Sequence, residues 1–297
     1  MRWIAAGAVL GVMLGGAAWA QGQSDSVTVT SERQREAINS FVTKLTAPSR
    51  LTGKLARWDV GVCPSVIGIR DEAARFVVAR VRETAQRVGA PVNKDADCKP
   101  NIHVVFTTTP QALLTRIRNS QPYFLGYADS EAKKDALATV KLPIQAWYFT
   151  QTRDLRGKTT LDTSKIANLG DELIPGMVLP SAVGAMAVTG GRLGDGARSV
   201  FHNVIVVADP TKLDHDMGTV GDYIAMLALA QVQPPSECQA LASMMNLFTQ
   251  SCAAPPSGLT VHDEGYLRGL YSMDAQAIIR AQRDQMIHKI GQAIEGR

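Results

Sequence analysis

Asp214-His215-Asp216 is the densest group of side chains in this sequence able to hold a metal ion or move a proton, and His202 and Asp222 flank it. Imidazole nitrogens and carboxylate oxygens suit zinc and related divalent cations, and a cation held there would activate a water for hydrolysis. Such a site requires His202 or Asp222 to converge on the triplet. The triplet also separates a run of β-formers from an apolar run, so a solvated turn between a strand and a helix is the simpler expectation. The other histidines have ordinary explanations. His103 sits in a short apolar strand and reads as packed. His262 adjoins Asp263 at a helix start, where Asp263 serves as a cap, and His288 reads as surface on the last helix. There is no G-x-S-x-G nucleophile elbow. The glycines of 190–196 lack the Lys-Ser/Thr of a phosphate loop and read as a flexible turn.

A second constellation lies just beyond. Asp222, Tyr223 and Met226 occupy positions i, i+1 and i+4 of an apolar run. Spacing of i and i+4 puts two side chains on one helix face, the arrangement by which paired histidines hold zinc while an intervening glutamate polarises the bound water. These residues cannot do that chemistry. Methionine is a poor ligand in an O/N zinc site, and tyrosine is no carboxylate base at neutral pH. Tyr223 and Met226 therefore read as core or pocket lining. Asp222 reads as a helix cap, three residues after Thr219 in a capping-box pattern.

These residues need elements to place them. Asp71 to Val88 predicts an amphipathic helix, with Ala74, Val77, Val78, Val81, Ala85 and Val88 on one face and Gly89 closing it. Ile102–Phe106, Ile144–Gln151 and Val200–Ala208 predict strands, the last being the strongest through Val204-Ile205-Val206-Val207. Leu55–Val62 reads as extended and Pro64–Ile69 as a turn. Helices are expected from Ser31 to Leu45, Pro110 to Ile117, Thr219 to Ala230, from Thr260 or Asp263 to Tyr271, and from Ala275 to Ile294. The Thr219 helix is apolar all round and should be buried on every side. Leu173–Gly196 lacks a clean period and reads as a long loop or flap.

Residues 1–20 have a signal-peptide pattern: Arg2, a short apolar run and Ala18-Trp19-Ala20. The polar 21–30 segment is expected to be a disordered linker, and 31–297 a single domain. A periplasmic or secreted chain with four cysteines, at 63, 98, 238 and 252, should hold disulfides. Three connectivities are open. The expectation is the sequence-local pairing, Cys63 with Cys98 and Cys238 with Cys252. A four-cysteine zinc site is disfavoured because no C-x-x-C spacing exists. The net charge of +4 is spread over interspersed charges with no basic block, which argues against nucleic acid as a partner. No stretch of the mature chain is apolar for long enough to span a membrane.

Val220 to Ala230, then Ser243-Met244-Met245, then Leu259-Thr260-Val261-His262-Asp263 and Leu270-Tyr271, follow an order that resembles the zincin metallopeptidases of the matrixin type. In those enzymes an H-E-x-x-H helix precedes a short methionine turn and an L-T-x-x-D helix. The resemblance covers about 55 residues. It implies an α+β fold with a small mixed sheet packed on the Asp71 helix and on the buried Thr219 helix, followed by a helical C-terminal part. It places the lost ligands at Asp222 and Met226, the lost base at Tyr223, the methionine turn at Met245 and the third ligand position at Val232. The expected function is accordingly non-catalytic: a degenerate peptidase whose cleft binds a peptide or another envelope protein, without a cofactor. The apolar loop over 173–188 is expected to cover that cleft. The alternatives are a metal-dependent hydrolase with ligands relocated to Asp214, His215, Asp216, His202 and Asp222, and a purely structural envelope protein.

Overall fold

The computed structural model of the chain describes residues 22–163 and 196–295, with side chains from Ser31 onward. The expected leader over 1–20 and the loop expected over 173–196, except Gly196, lie outside the described residues.

β-Branched and aromatic residues alternate along the central strands and sort into two faces. Five strands form one sheet: β1 (Pro64–Ile67), β2 (Ile102–Phe106), β3 (Ile144–Arg153), β4 (Thr159–Leu161) and β5 (Arg198–Ala208). Their order is β1-β2-β5-β3-β4. β1 and β5 run parallel to β2, while β3 runs antiparallel to both β5 and β4. The register sets Val104 beside Val206, and Val206 beside Ala146. Strand side chains alternate between faces. One core therefore takes Ile102, Val104, Val204, Val206 and Ile144, and the opposite core takes Val105, Ile205, Val207, Trp147 and Phe149.

The first face is covered by α2 (Asp71–Val88) and α5 (Met217–Leu229), which pack on each other. α2 presents Val77, Val81, Ala85 and Val88 and ends on Gly89 at a φ of 82°, in the left-handed region that glycine adopts readily. Every residue of α5 from Thr219 to Leu229 is buried, as its all-round apolar sequence requires. The second face is covered by α3 (Pro110–Ser120) and a 3-10 turn over Pro122–Leu125, flanked by the polar α4 (Glu131–Leu137). The structure is thus α+β, with a mixed sheet packed on the Asp71 and central helices as expected. The covering of the other face was not anticipated.

α6 (Val261–Ser272) and α7 (Ile279–Glu295) form a close helical pair, and α1 (Gly22–Leu45) lies against α7. Their approach depends on Gly269, where an added Cβ would stand 3.0 Å from the Met286 Cα. Arg57 ties the pair's turn to the body: its guanidinium donates to the Leu270, Tyr271 and Met273 carbonyls at 3.1, 3.1 and 2.9 Å. These are carbonyls that a helix C-terminus leaves without partners. Two disulfides, Cys63–Cys98 and Cys238–Cys252, follow the sequence-local pairing.

Several expectations need correction. The 21–30 segment is helical from Gly22 onward rather than a linker. No glycine or proline interrupts Gln23 to Leu45, and extending an existing helix adds a hydrogen bond per residue, whereas nucleating one does not. Pro64–Ile67 is an edge strand rather than a turn. Proline fits the first residue of an edge strand because its missing N–H leaves no central ladder bond unmade. Leu55–Val62 joins β5 only at Arg57, opposite Val200, where β2 does not reach. The last helix begins at Ile279, after a turn closed by the Gln276 N–H donating to Asp274 Oδ1 at 2.9 Å.

Candidate functional site

The two constellations singled out in the sequence have different fates. The cap of α5 is Asp216, not Asp222. The Asp216 carboxylate accepts from the Gly218 and Thr219 amides at 2.8 and 3.1 Å and from the Thr219 hydroxyl at 2.7 Å. The Thr219 hydroxyl leads the bonds that hold the Asp216 pKa below the ordinary aspartate range. The helix starts two residues earlier than expected, so the capping role falls on the last member of the 214–216 triplet. His215 meets Asp214 at 3.2 Å, and its ring lies 6.1 Å from that of Phe248. His202 sits mid-strand in β5, about 20 Å along the strand from Ala208 at the usual rise per residue, edge-on to Phe149. The structure therefore does not bring His202 to the triplet. Among the described residues, no group of three or more His, Cys, Asp or Glu side chains is placed to hold a metal ion.

Asp222 turns toward α2. Its Oδ1 lies 3.1 Å from Arg80 Nε, and its Oδ2 accepts from the Leu259 amide at 3.3 Å. Met226 is fully buried, as is Met245 in the 3-10 turn Met244–Asn246. That turn is held by Asp263. Ser243 Oγ donates to Asp263 Oδ1 at 2.5 Å, and the Met244 and Thr260 amides donate to Oδ2 at 2.8 and 2.9 Å. Thr260 is the N-cap of α6, and Asp263 is its capping-box partner. His103 is packed inside the sheet with Nε2 unpartnered among the described residues, and burial lowers its pKa to about 4. His288 is exposed and meets Gln292.

Tyr223 faces elsewhere. It lines a groove of about 750 Å³ on the open side of β3. The floor is Ile144, Ala146 and Tyr148 of β3 with Tyr223 and Leu227 of α5. One wall is 47–50 with 231–235, joined by a bridge between Thr46 and Val232 and by the Gln233 amide donating to the Leu45 carbonyl at 2.8 Å. The other wall comes from 125–127 and 136–142. Val232 lines the same groove. Tyr148 builds the corner: its hydroxyl lies 3.0 and 2.9 Å from the Leu227 and Ala230 carbonyls, at the C-terminus of α5.

Two features make this groove able to hold a chain. β4 covers β3 only at Gln151–Arg153. Over 144–149 the main chain makes no backbone hydrogen bond beyond its ladder with β5 among the described residues. Antiparallel pairing uses the N–H and C=O groups of alternate residues, so the others face away from β5, where Gly126 of the groove wall stands close to the Tyr148 carbonyl. Two side-chain groups there also lack partners among the described residues. The Tyr223 hydroxyl makes no hydrogen bond although the residue is 1% exposed, and burial raises its pKa above the ordinary phenol value. Gln231 Oε1 is buried and unpaired.

Tyr223 read as core or pocket lining, and the apolar helix did not say which. Gln231, Tyr148 and the β3 edge were not legible, because they lie in separate segments whose meeting depends on strand order. Comparison with known protein families, with curated proteins and with solved structures found no match.

Proposed function

We propose that the protein is an exported, non-catalytic zincin-like protein that binds an extended peptide segment of another envelope protein along the unpaired edge of β3. The observation that carries this reading is the run 144–149, on whose outward edge no strand is laid among the described residues and beside which lies an apolar-floored groove. β-Augmentation uses such an edge: main-chain hydrogen bonds supply affinity, and pockets for alternate side chains supply selectivity. The sequence order around Asp222, Tyr223, Met226, Met245 and Asp263 supports the zincin-like frame. Asp222 engaged by Arg80, and Met226 sealed in the core, support loss of the frame's hydrolytic chemistry. Two disulfides and the pattern of residues 1–20 support export.

The test is a displayed library of seven-residue peptides panned against residues 21–297 with both disulfides formed. A bound hit should slow amide exchange at 144–149. Ala136→Trp, an exposed change on the groove wall, should abolish binding while leaving the melting temperature unchanged. An absence of hits, or protection confined to another surface, would overturn the proposal.

A further inference from the structure

We infer that the occupant of the groove is an acidic peptide segment. This rests on the β3-edge reading and adds to it the charge of the ligand. The charged side chains lining the groove are Arg50, Lys133 and Lys141, and among the described lining residues there is no Asp or Glu. The chain as a whole nearly balances its charges, with 31 Lys and Arg against 27 Asp and Glu, so a groove lined by one sign only is a local feature. Lys133 is paired with Asp129 at 2.7 Å, just outside the lining. Arg50 and Lys141 are exposed and make no salt bridge among the described residues. Lys133, and more weakly Arg50, lower the pKa of Asp129; Arg50 belongs to the 47–50 wall, and Lys141 follows α4 on the wall of Leu137.

The floor is the second observation. Gln231 Oε1, on the wall beside that floor, is a buried polar atom without a partner among the described residues, the Tyr223 hydroxyl of the floor makes no hydrogen bond among them, and a buried polar group without a partner costs free energy until something meets it. A peptide strand supplies both kinds of partner, a carbonyl for the hydroxyl and an N–H for the amide oxygen. A free small anion brings no N–H and would leave Gln231 unmet. Its apolar neighbours, Leu227, Ile144 and Ala146, would also remain uncovered. An extended segment with carboxylates on the side chains that point to the rims answers both features at once.

Three fluorescein-labelled peptides of equal length test this: alternating valine and glutamate, alternating valine and glutamine, and alternating valine and lysine. The glutamate peptide should bind about tenfold tighter than the glutamine peptide at low salt, as two or three exposed ion pairs allow. The advantage should shrink in 0.5 M salt, within the reach of screening. Arg50→Gln with Lys141→Gln should reduce it to near parity and leave the glutamine peptide's affinity unchanged. Both substitutions are at exposed positions, so folding is not at issue. Equal binding of the glutamate and glutamine peptides would overturn the charge inference and leave the β3-edge reading standing. Failure of all three to bind would overturn both. Glutarate competing as well as the glutamate peptide would replace a peptide site with a small-anion site. Full binding in Ala136→Trp would move the site off this groove, and either of these last results overturns the inference.

Discussion

His103 shows how a single side chain departs from what its type suggests. Imidazole can ligate metals, transfer protons or sense pH near neutrality, yet this one is 1% exposed between β1 and β5, and burial holds it neutral with a pKa near 4. The linkage has a definite sign. The unfolded chain takes up a proton near pH 6.5, while the folded chain does so only near pH 4, so stability is complete above about 6.5 and falls as pH drops toward 4. The shift corresponds to about 3 kcal/mol. Asp162 and Asp263 act the other way, since burial raises their pKa values and their folded forms bind protons more readily. The clean measurement is therefore a difference: chemical denaturation of the parent and of His103→Leu at pH 7 and pH 4. The parent should lose about 3 kcal/mol more than the variant over that interval. Equal losses would mean that the ring is solvated and titrates normally. The run from Asp222 to Met226 carries a related point. Residue types alone set Asp222, Tyr223 and Met226 apart from an H-E-x-x-H site, because methionine is a poor zinc ligand and tyrosine no carboxylate base. Where each points was hidden, because α5 is apolar all round and its periodicity marks no outward face.

Elements were legible where one physical signal dominated. α2 and β5 were read within two residues because a one-sided apolar stripe and a run of β-branched residues each have one good solution. β1 was missed because Pro64 argues for a turn unless the strand is known to lie at an edge, and edge position belongs to the whole sheet. α4 was missed because none of its residues is buried, and its support is local: the Ser130 cap and the pairing of Arg118 with Glu131 and Asp135. α6 was read with its start open between Thr260 and Asp263; Thr260 is the N-cap, and Asp263 closes the capping box from inside the helix. Asp263 is fully buried there and binds two segments together: α6 and the 3-10 turn that Ser243 caps and that carries Met245. Asp263→Ala should destabilise the protein by about 3 kcal/mol, through the lost capping box and the buried donors left unmatched. Asp263→Asn should lose less, because an amide oxygen still accepts, although its NH₂ then faces the Ser243 or Thr260 donors. Urea midpoints of the two variants check the order. An alanine variant within 0.5 kcal/mol of the parent would show that water replaces the carboxylate.

At the scale of the whole molecule, α1 links stability to the groove. Its C-terminal half presents Ile38, Phe41, Val42 and Leu45 to the core, and the Phe41 ring meets Tyr266 of α6 edge-on at 6.1 Å. The chain then leaves the helix through the Thr46–Val232 bridge straight into 47–50, the wall that carries Arg50. Ser31 to Glu36, by contrast, are exposed, and hydrogen bonding along a polar helix adds little without packing. Two changes to the same element should therefore differ sharply. Beginning the mature chain at Ala37 should alter stability by no more than about 0.5 kcal/mol and leave peptide binding intact. Phe41→Ala should cost about 3–5 kcal/mol, as a buried phenylalanine leaves a cavity that the surrounding helices close only in part. Because that cavity opens beside the last turns of α1, the 47–50 wall should loosen, and affinity for the glutamate peptide should fall at temperatures where the variant remains folded. Denaturation and peptide titration on both variants measure this coupling. A shortened chain that lost several kcal/mol would mean that the polar half of α1 packs on the body. A Phe41→Ala variant that lost stability but kept full affinity would mean that the groove is built independently of the helix leading into it.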